Sequence, residues 1–398
     1  MSYVPEHINE LRLRAQLELA AKVAPREAEE LWRYSGIDRF SVDRFVSDHR
    51  PEAVGRLTVE LGDEARAKGA TVTIDDADAF ADDYFATLGR ASVAHRLVIA
   101  IPANVALTNP IRIRTTLAAA GTVGGSVRVV CGVNSSATVL EEFRSDDLGE
   151  DASLLISGTV LELADGARLQ HASVQLLGER HWIVATLRAE TGRDATLSSI
   201  AVALGGDYAR LETTAVATAK GAHSELLAVY FAGNDQVHDF RTRQDHIAPR
   251  TTSDLLFKGA VEDRARSVYS GLIHIGKDAR GTVAHQTNRN LLLSAGASAE
   301  SVPNLEIENN DVQCSHASAI GPIDDDHRYY LESRGVPPSQ ADRLIVLGFF
   351  ADLLARVPDD TLRQELEAVV GDKFDRRAQS EVSEVDPAAA FAQRQVST

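Results

Sequence analysis

Short apolar runs that alternate with turn residues predict β-strands from about residue 92 to residue 319. The clearest runs are rich in β-branched residues and are bounded by Gly, Asn or Asp; they lie at residues 98–101, 111–116, 127–130 and 160–163. Runs of this length and composition are typical of strands. Helical periodicity is almost absent from this stretch, which therefore forms the predicted β core of the chain.

Alanines recur within this core at a nearly constant step of about 14, which is a sign of an internal repeat. Most of them follow a turn-forming residue; they stand at positions 137, 152, 167, 195, 209 and 222, with one member skipped between 167 and 195, and again 14 apart at 265 and 279. A fixed step predicts a solenoid whose coils bury their apolar faces against one another. Short strands without intervening helices favour a β-helix over repeated βαβ units. A β-sandwich of hairpins is the alternative, although two-residue hairpin turns are rare and Asp165-Gly166 is the clearest.

The region before the core favours helices. Residues 9–23 predict one helix, and Pro25 is expected to open a second that reaches Trp32. Trp32 and Tyr34 could form a binding face, but we expect them to dock against the core. A charged stretch at residues 75–83 carries no clear pattern.

The region after the core also favours helices. Asp324 is expected to cap the first of them, and a pattern similar to a capping box at Ser339 to start the second. Asp359 or Asp360 is expected to open a third helix that stops at Gly371. The patterns together divide the chain into four regions: a mixed, helix-leaning region at 1–91, the β core at 92–319, a helical domain at 320–374 and a disordered tail at 375–398.

The charge of the chain excludes several partners. Its 398 residues include 58 acidic and 41 basic side chains, which gives a formal net charge of −17. Broad binding to nucleic acids or anionic membranes needs a concentrated basic field, and no segment of this chain supplies one. The longest apolar run, at residues 344–350, is far too short to cross a membrane.

The cysteine content indicates a reducing compartment. With only Cys131 and Cys314, a disulfide framework is excluded. The start of the chain, from Met1 to Ala21, is interrupted by charges and shows no apolar core, so no signal peptide is expected. A cytoplasmic protein is predicted.

Cys314 and His316 are the candidate metal ligands. On a strand, residues two apart point to the same side, so a thiol and an imidazole would be presented together. Such ligands suit iron, zinc and iron–sulfur clusters. Two ligands cannot complete a tetrahedral site, so further ligands would have to come from elsewhere in the fold or from a partner chain. Burial of Cys314 as a small apolar residue is the alternative.

Other candidates for chemistry are weaker. No phosphate-binding loop, nucleophile elbow or zinc-protease motif occurs, so the chain itself is not expected to hydrolyse ATP. The pairs His238-Asp239 and Asp245-His246 are expected to lie in a solvated turn.

Several ordered motifs resemble the SufB/SufD family, and its SufD branch in particular. They are LWRYS at 31–35, FKG at 257–259, HQTNRNLLL at 285–293, PNLEI at 303–307, DVQCSH at 311–316, GPID at 321–324 and YLESRG at 330–335. SufB carries a cysteine in the strand corresponding to the HQTNRNLLL segment and has Glu-His-Glu in place of Cys-Ser-His. This chain lacks both features.

The resemblance implies a scaffold subunit for iron–sulfur cluster assembly, without turnover of its own. It implies a right-handed parallel β-helix core, pairing with the paralogue SufB and docking of the ATPase SufC on the C-terminal helices. Tyr330, Arg334 and Phe349 are the candidate SufC-binding residues there. His316 would contribute to a cluster forming at the interface with SufB, with Cys314 less certain. No cofactor would be stably bound by the chain alone, ATP would be bound by SufC, and a homodimer could form in isolation.

Two further hypotheses of other classes remain. A β-helix enzyme acting on polysaccharides would need acidic or basic catalytic residues grouped along a groove, and no organised carboxylate cluster follows the repeat. A self-contained metal-binding protein would keep stoichiometric iron or zinc on the isolated chain.

Overall fold

The structure is a computed structural model, and it describes residues 8–74 and 83–384 of the chain. These residues form two compact units, Met1–Gly321 and Pro322–Thr398, which are considered separately. The charged stretch at 75–83 lies outside the described residues except for Asp83. None of the described helices is long and apolar enough to cross a membrane.

The first unit contains, in its described part, eighteen strands and four α-helices. Three short 3-10 helices, Glu30–Trp32, Ile37–Arg39 and Val42–Phe45, lie near its start. The α-helices are α1 (Ile8–Leu19), α2 (Pro51–Val54), α3 (Asp63–Ala67) and α4 (Tyr84–Ala91). The strands are β1 (Gly55–Glu60), β2 (Thr71–Ile74), β3 (Val93–Ile101), β4 (Ile111–Leu117), β5 (Gly121–Cys131), β6 (Ser136–Ser145), β7 (Ser153–Leu163), β8 (Arg168–Leu176), β9 (Trp182–Thr191), β10 (Thr196–Ala203), β11 (Tyr208–Ala217), β12 (His223–Ala232), β13 (Val237–His246), β14 (Thr252–Val261), β15 (Arg266–Ile275), β16 (Thr282–Leu292), β17 (Ser298–Ile307) and β18 (Val312–Gly321).

The strands form a parallel β-solenoid of about eight turns. Even-numbered strands from β4 to β18, with β1 at one end, make a nine-stranded sheet that we call sheet A; odd-numbered strands from β3 to β17, with β2 at one end, make the nine-stranded sheet B. Every described pairing is parallel except β1 with β4 and β2 with β3. Consecutive strands alternate between sheets, so the β-helix prediction is confirmed and a sandwich of antiparallel hairpins is excluded.

The alanine step corresponds to half a coil. His171 and Ser199 are register partners on neighbouring coils, and their positions differ by 28. Each coil contributes one strand to each sheet, so the spacing between successive strands is about half of that separation and matches the alanine repeat. Ala195 and Ala222 precede strands of sheet A and are fully buried. A small side chain is needed at such a corner because adjacent coils lie one strand spacing apart.

Residues with left-handed backbone stack along one corner. Asn134, Gly166 and Asp194 have φ angles of 55°, 68° and 55°. The amide of Asn134 donates to the carbonyl of Asp165 on the next coil, at 2.9 Å, and the amide of Gly166 likewise bonds to the next coil. Asn, Asp and Gly tolerate this backbone region better than other residues, which explains the turn residues in the repeat.

The interior of the solenoid combines apolar clusters with buried polar side chains. The coils built from β3 to β10 enclose an apolar cluster that includes Leu97, Ile99 and Leu161, all fully buried. Nearer the C-terminal end the interior carries hydrogen-bonded polar side chains. The Tyr230 hydroxyl donates to Asn290 Oδ1 at 2.7 Å and accepts from Asn288 Nδ2 at 3.0 Å.

The expected second N-terminal helix is wrong. Residues 25–29 are not α-helical, and only the 3-10 turn Glu30–Trp32 forms. Tyr34 and Gly36 follow with φ angles of 65° and 69°, which a right-handed helix cannot accommodate. Trp32 is buried in an aromatic cluster, as expected for docking, whereas Tyr34 is 37% exposed.

The second unit contains three described helices, α5 (Asp325–Ser333), α6 (Pro338–Leu354) and α7 (Asp360–Glu384). Asp324 caps α5 as predicted: its Oδ1 accepts from the amides of Asp326 at 2.8 Å and His327 at 3.2 Å. The predicted capping role of Ser339 is wrong, because α6 starts at Pro338 and none of the described side chains caps it. Proline suits a first helical turn, where its missing N–H has no partner to lose.

The third C-terminal helix is longer than expected. Asp359 caps it by accepting from the amide of Leu362 at 2.8 Å. The helix does not stop at Gly371 but continues to Glu384, so the beginning of the predicted tail at 375–398 is helical. Gly371 has no side chain to clash with Arg343 of α6, which explains a glycine inside the helix. Residues 385–398 lie outside the described part.

Candidate functional site

The candidate ligands Cys314 and His316 lie on β18, the last strand of sheet A. In the register, Cys314 pairs with Ala284 and His316 with Gln286 of β16. Ala284 and Gln286 face the interior and are buried, so both candidate residues point to the interior side of the terminal coil. His316 is nevertheless exposed to solvent, because among the described strands no further coil covers β18.

Cys314 is half-buried and contributes to packing. It lies against a small apolar cluster formed by Ile273, Ile275, Ala279 and Ala284. Partial burial raises the pKa of its thiol, because the thiolate is less well solvated there. The free protein therefore holds Cys314 as a neutral thiol, which is a weaker metal ligand than a thiolate. The packing alternative for this residue is supported by its contacts.

His316 is the more accessible of the two. No hydrogen bond or ion pair within the described residues engages its imidazole, so both ring nitrogens are open to a ligand from outside the chain. The neighbouring His285 is different: it lies on the outer face of sheet A, where its Nδ1 is 2.7 Å from Ser315 Oγ.

The described residues do not supply a complete metal site. No group of three or more His, Cys, Asp or Glu side chains within them could hold a metal ion. Cys314 and His316 thus provide at most two donors, and a cluster bound here needs ligands from another chain or from sulfide. The same small number of ligands led to the prediction of a shared site from the sequence.

The terminal coil also exposes apolar side chains. Ile320 on β18 is 42% exposed, and Val302 and Ile307 on β17 are 38% and 45% exposed. The strands β17 and β18 each end a sheet, so one side of each presents backbone N–H and C=O groups without a neighbouring strand among those described. An edge with exposed apolar residues is suited to binding another chain.

The expected solvated turn at 238–246 is wrong. His238, Asp239 and His246 lie on β13 and are buried, and Asp245 is half-buried on the same strand. Asp239 accepts from Arg241 Nε at 2.7 Å and pairs with a second arginine. His238 and His246 face the interior of the solenoid, whereas Asp239 lies on the outer face, where its arginine partners contact the N-terminal segment. The sequence pattern missed this strand because polar residues occupy its interior positions as well as its outer face.

A buried polar network in the middle of the solenoid was not predicted. Glu141 Oε2 lies 2.9 Å from His171 Nε2, whose Nδ1 lies 3.0 Å from Ser199 Oγ; all three side chains are buried. Glu141 and Ser199 also line an internal cavity of about 30 Å³, which has room for about one water molecule. The sequence does carry one signal of this network. Glu141 alternates with the apolar Val139 and Phe143, which places a carboxylate on the interior face of the strand.

The candidate residues on the C-terminal helices are unequally exposed. Tyr330 on α5 is 57% exposed, and the guanidinium carbon of Arg334 lies 5.1 Å from its ring centroid. Phe349 on α6 is half-buried, with its ring 5.2 Å from that of the fully buried Phe350. Sequence reasoning missed Tyr329, which is 73% exposed on α5.

Comparisons with known proteins agree with this architecture. A family described as the SufBD core domain of the SUF system for FeS cluster assembly matches residues 115–349. An iron–sulfur cluster assembly SufBD family protein of Mycobacterium leprae is 30% identical, over 91% of this chain and 94% of its own length. The iron–sulfur cluster assembly protein SufD of Escherichia coli is 30% identical over 60% of this chain and 56% of its own length. SufD of Bacillus subtilis is also 30% identical, over 61% of this chain and 56% of its own. The chain thus belongs to the SufBD family of iron–sulfur cluster assembly proteins.

Proposed function

We propose that this chain is a non-catalytic scaffold subunit that pairs with a SufB paralogue and contributes His316 to the interface where an iron–sulfur cluster forms. The observation that carries the proposal is the position of His316. It lies on an edge strand at the open end of the solenoid, exposed and without a partner among the described residues. The nascent cluster is the substrate of the site, and the remaining ligands come from the paralogue.

The terminal coil supports pairing with a second β-helix. A partner strand that adds to the free edge of β17 or β18 would satisfy backbone groups there. The exposed Ile307 and Ile320 would be buried by the same contact. We therefore assign the SufB interface to this end of the solenoid.

The helices of the second unit support docking of the SufC ATPase. Tyr329, Tyr330 and Leu344 are exposed on α5 and α6, with Leu344 at 48%. Exposed aromatic residues are typical anchors of protein interfaces. ATP is then bound by SufC, and the whole assembly belongs to the cytoplasm, in keeping with a chain that has only two cysteines.

The test is an anaerobic purification of the tagged chain co-expressed with SufB and SufC, with subunit identification and counts of iron and sulfide. We expect a complex of all three subunits, and His316→Ala should abolish cluster formation while the complex stays intact. His285→Ala is the matched control, because it removes an imidazole from the opposite face of the neighbouring strand. Unchanged cluster yield in His316→Ala would remove this residue from the mechanism.

The proposed SufB interface is tested separately by substituting a charged residue for an exposed apolar one. Ile320→Asp should prevent copurification of SufB, because it places a carboxylate in the contact. Ile247→Asp is the control, since Ile247 has a similar exposure of 49% but lies in the loop after β13. Retention of SufB by Ile320→Asp would exclude this end of the solenoid as the interface.

The proposed docking of SufC is tested by substitutions in the helices of the second unit. Tyr330→Ala combined with Arg334→Ala should weaken retention of SufC without loss of SufB. Glu332→Ala on the same helix is the control. An equal loss of SufC in the control would show that the effect is one of helix stability and not of the exposed tyrosine.

A further inference from the structure

Gln286 has an unusual environment beneath the candidate site. It lies on β16 in direct register with His316 and faces the interior of the solenoid. Its side chain is buried, and within the described part of the chain neither its Nε2 nor its Oε1 has a hydrogen-bond partner. Buried amides almost always bond to something, so an amide with both groups unpaired points to a nearby group that it reaches by turning its side chain.

Its neighbours in the interior are already paired. Asn288 and Asn290, on the same strand and the same face, bond to Tyr230. The Tyr269 hydroxyl lies 3.0 Å from Thr242 Oγ1. Among the described residues, Gln286 is therefore the one amide on the interior face of β16 whose two polar groups both lack partners.

Gly271 leaves room for the side chain of Gln286. A Cβ added to Gly271 on β15 would lie 2.6 Å from Nε2 and 2.7 Å from Oε1 of Gln286. The amide thus occupies the space that Gly271 leaves. Gln286 and His316 lie on neighbouring strands of sheet A and face the same interior side.

The imidazole of His316 is a suitable partner for the Gln286 amide. A histidine that binds a metal through one ring nitrogen donates its other N–H to an acceptor nearby, which sets the tautomer and the ring orientation. Paired residues on adjacent strands lie about 4.8 Å apart, a distance that the flexible side chain of glutamine can span. An amide oxygen is such an acceptor.

We propose that Gln286 is a positioning residue for His316: its amide oxygen accepts the N–H of one imidazole nitrogen and leaves the other unprotonated toward the open end of the coil. This inference rests on the proposed function for the role of the free nitrogen, which binds iron of the assembling cluster. The hydrogen bond itself needs no other chain: both side chains lack a partner in the described structure, and the bond forms when the Gln286 amide turns toward His316 on the neighbouring strand.

The first test reads the tautomer of His316 by NMR in the isolated full chain labelled with ¹⁵N-histidine, with His316→Ala used to assign its signals. We expect one tautomer in the wild type and a mixture in Gln286→Met, which keeps the shape of the side chain without its hydrogen bonds. Gln286→Glu should restore a single tautomer. A single tautomer in Gln286→Met, the same as in the wild type, would overturn the proposal.

Stability separates positioning from a structural role. A single hydrogen bond to the exposed His316 contributes little net stability, so the unfolding midpoint of Gln286→Met should fall only slightly below that of the wild type or stay equal to it. A large fall in the midpoint would show that the amide holds the coil together and would overturn the proposal. Gln286→Leu provides a second variant without an amide if Gln286→Met does not fold.

The second test measures cluster assembly in the purified complex. Gln286→Met should lower the yield or affinity for iron by about 10-fold or more, and Gln286→Glu should recover it. Gln313→Met, at an exposed position of β18, is the matched control. The two proposals can fail independently. If His316→Ala keeps full cluster yield, the proposed function is wrong; a tautomer that still depends on Gln286 would then show that the hydrogen bond exists without a role in cluster assembly.

Discussion

The guanidinium of Arg210 stacks 3.9 Å from the ring centroid of Trp32. Arg210 lies on β11, and Trp32 ends the first 3-10 helix, so this contact attaches the N-terminal segment to sheet B. The Nη2 atom of Arg210 also donates to the Leu31 carbonyl at 3.2 Å. The arrangement makes stability of the N-terminal region depend on a few buried side chains.

Trp32→Ala should lower the free energy of unfolding by about 3–5 kcal/mol, because it removes a large buried aromatic side chain. Urea unfolding followed by far-UV circular dichroism measures the change. Leu31→Ala is the control: Leu31 is 75% exposed, so its loss should change stability by less than about 0.5 kcal/mol. Equal effects of the two substitutions would contradict the packing of Trp32.

Asp239→Ala should destabilise the protein by about 3–5 kcal/mol, because it leaves the buried guanidinium of Arg210 without its buried counter-ion and with only the more exposed Glu212, 3.4 Å away. The side chains of Asp239 and Arg210 are almost fully buried, at 0% and 4% exposure. Glu190→Ala is the matched control, since its pair with Arg188 is exposed and should contribute less than about 1 kcal/mol. Thermal unfolding of both variants at one pH measures the two losses of stability. Equal losses would contradict the difference between the buried and the exposed ion pair.

Stability should fall as the pH drops from about 6.5 to about 4. Burial lowers the pKa of His246 from 6.5 to about 4, so the unfolded chain takes up a proton first as the solution is acidified. Below about pH 6.5 this residue should reduce the free energy of unfolding by about 1.4 kcal/mol per pH unit. Urea unfolding at pH 7, 6 and 5 measures the slope.

The contribution of His246 is isolated by substitution. His246→Gln should show a flatter pH dependence than the wild type over this range, even if its stability at pH 7 is lower. His49→Gln, at an exposed position, should keep the wild-type slope. A slope unchanged by His246→Gln would contradict the buried, neutral state of this residue.

Asp324→Ala should loosen the start of α5. Bonds from the amides of His327 and Asp326 lower the pKa of the Asp324 carboxyl, so the stabilisation by the cap is fully present above the usual pKa of aspartate and is lost as the pH falls through the lowered pKa of the folded state. Hydrogen exchange of the two amides should become several-fold faster in the variant. Asp324→Asn, which keeps an accepting oxygen, should retain most of the protection.

The two cysteines should react at very different rates. Burial raises the pKa of the Cys131 thiol to about 12, and it raises that of the half-buried Cys314 as well. In the native protein at pH 8, a disulfide reagent such as DTNB should modify Cys314 slowly and Cys131 only after unfolding. Cys314→Ala identifies the signals, and rapid labelling of Cys131 in the native state would contradict its burial.

Much of the fold was accessible from the pattern of residues. The regular alanine step indicated a solenoid, since stacked coils must approach closely at every turn, and the structure shows that this step is half a coil. The cap at Asp324 was also predicted, because capping depends on residues that are neighbours in sequence. The pair Cys314 and His316 was found because alternation along a strand places such residues on one side.

Other features required the tertiary structure. Nothing local distinguishes His246 in a buried strand from a histidine in a loop, and only the approach of Arg343 to Gly371 explains a glycine inside the last helix. The pairing of Gln286 with His316 joins positions that are distant in the chain, through a register that only the stacked coils define.

The sequence by itself determined the repeat, the family and the small number of thiols, because each is carried by residue types and short-range spacing. Only the tertiary structure decided which end of the solenoid remains open. At that open end, His316 is exposed to solvent next to the unpaired amide of Gln286. The exposure of a strand depends on whether another strand covers it and not on its own residues.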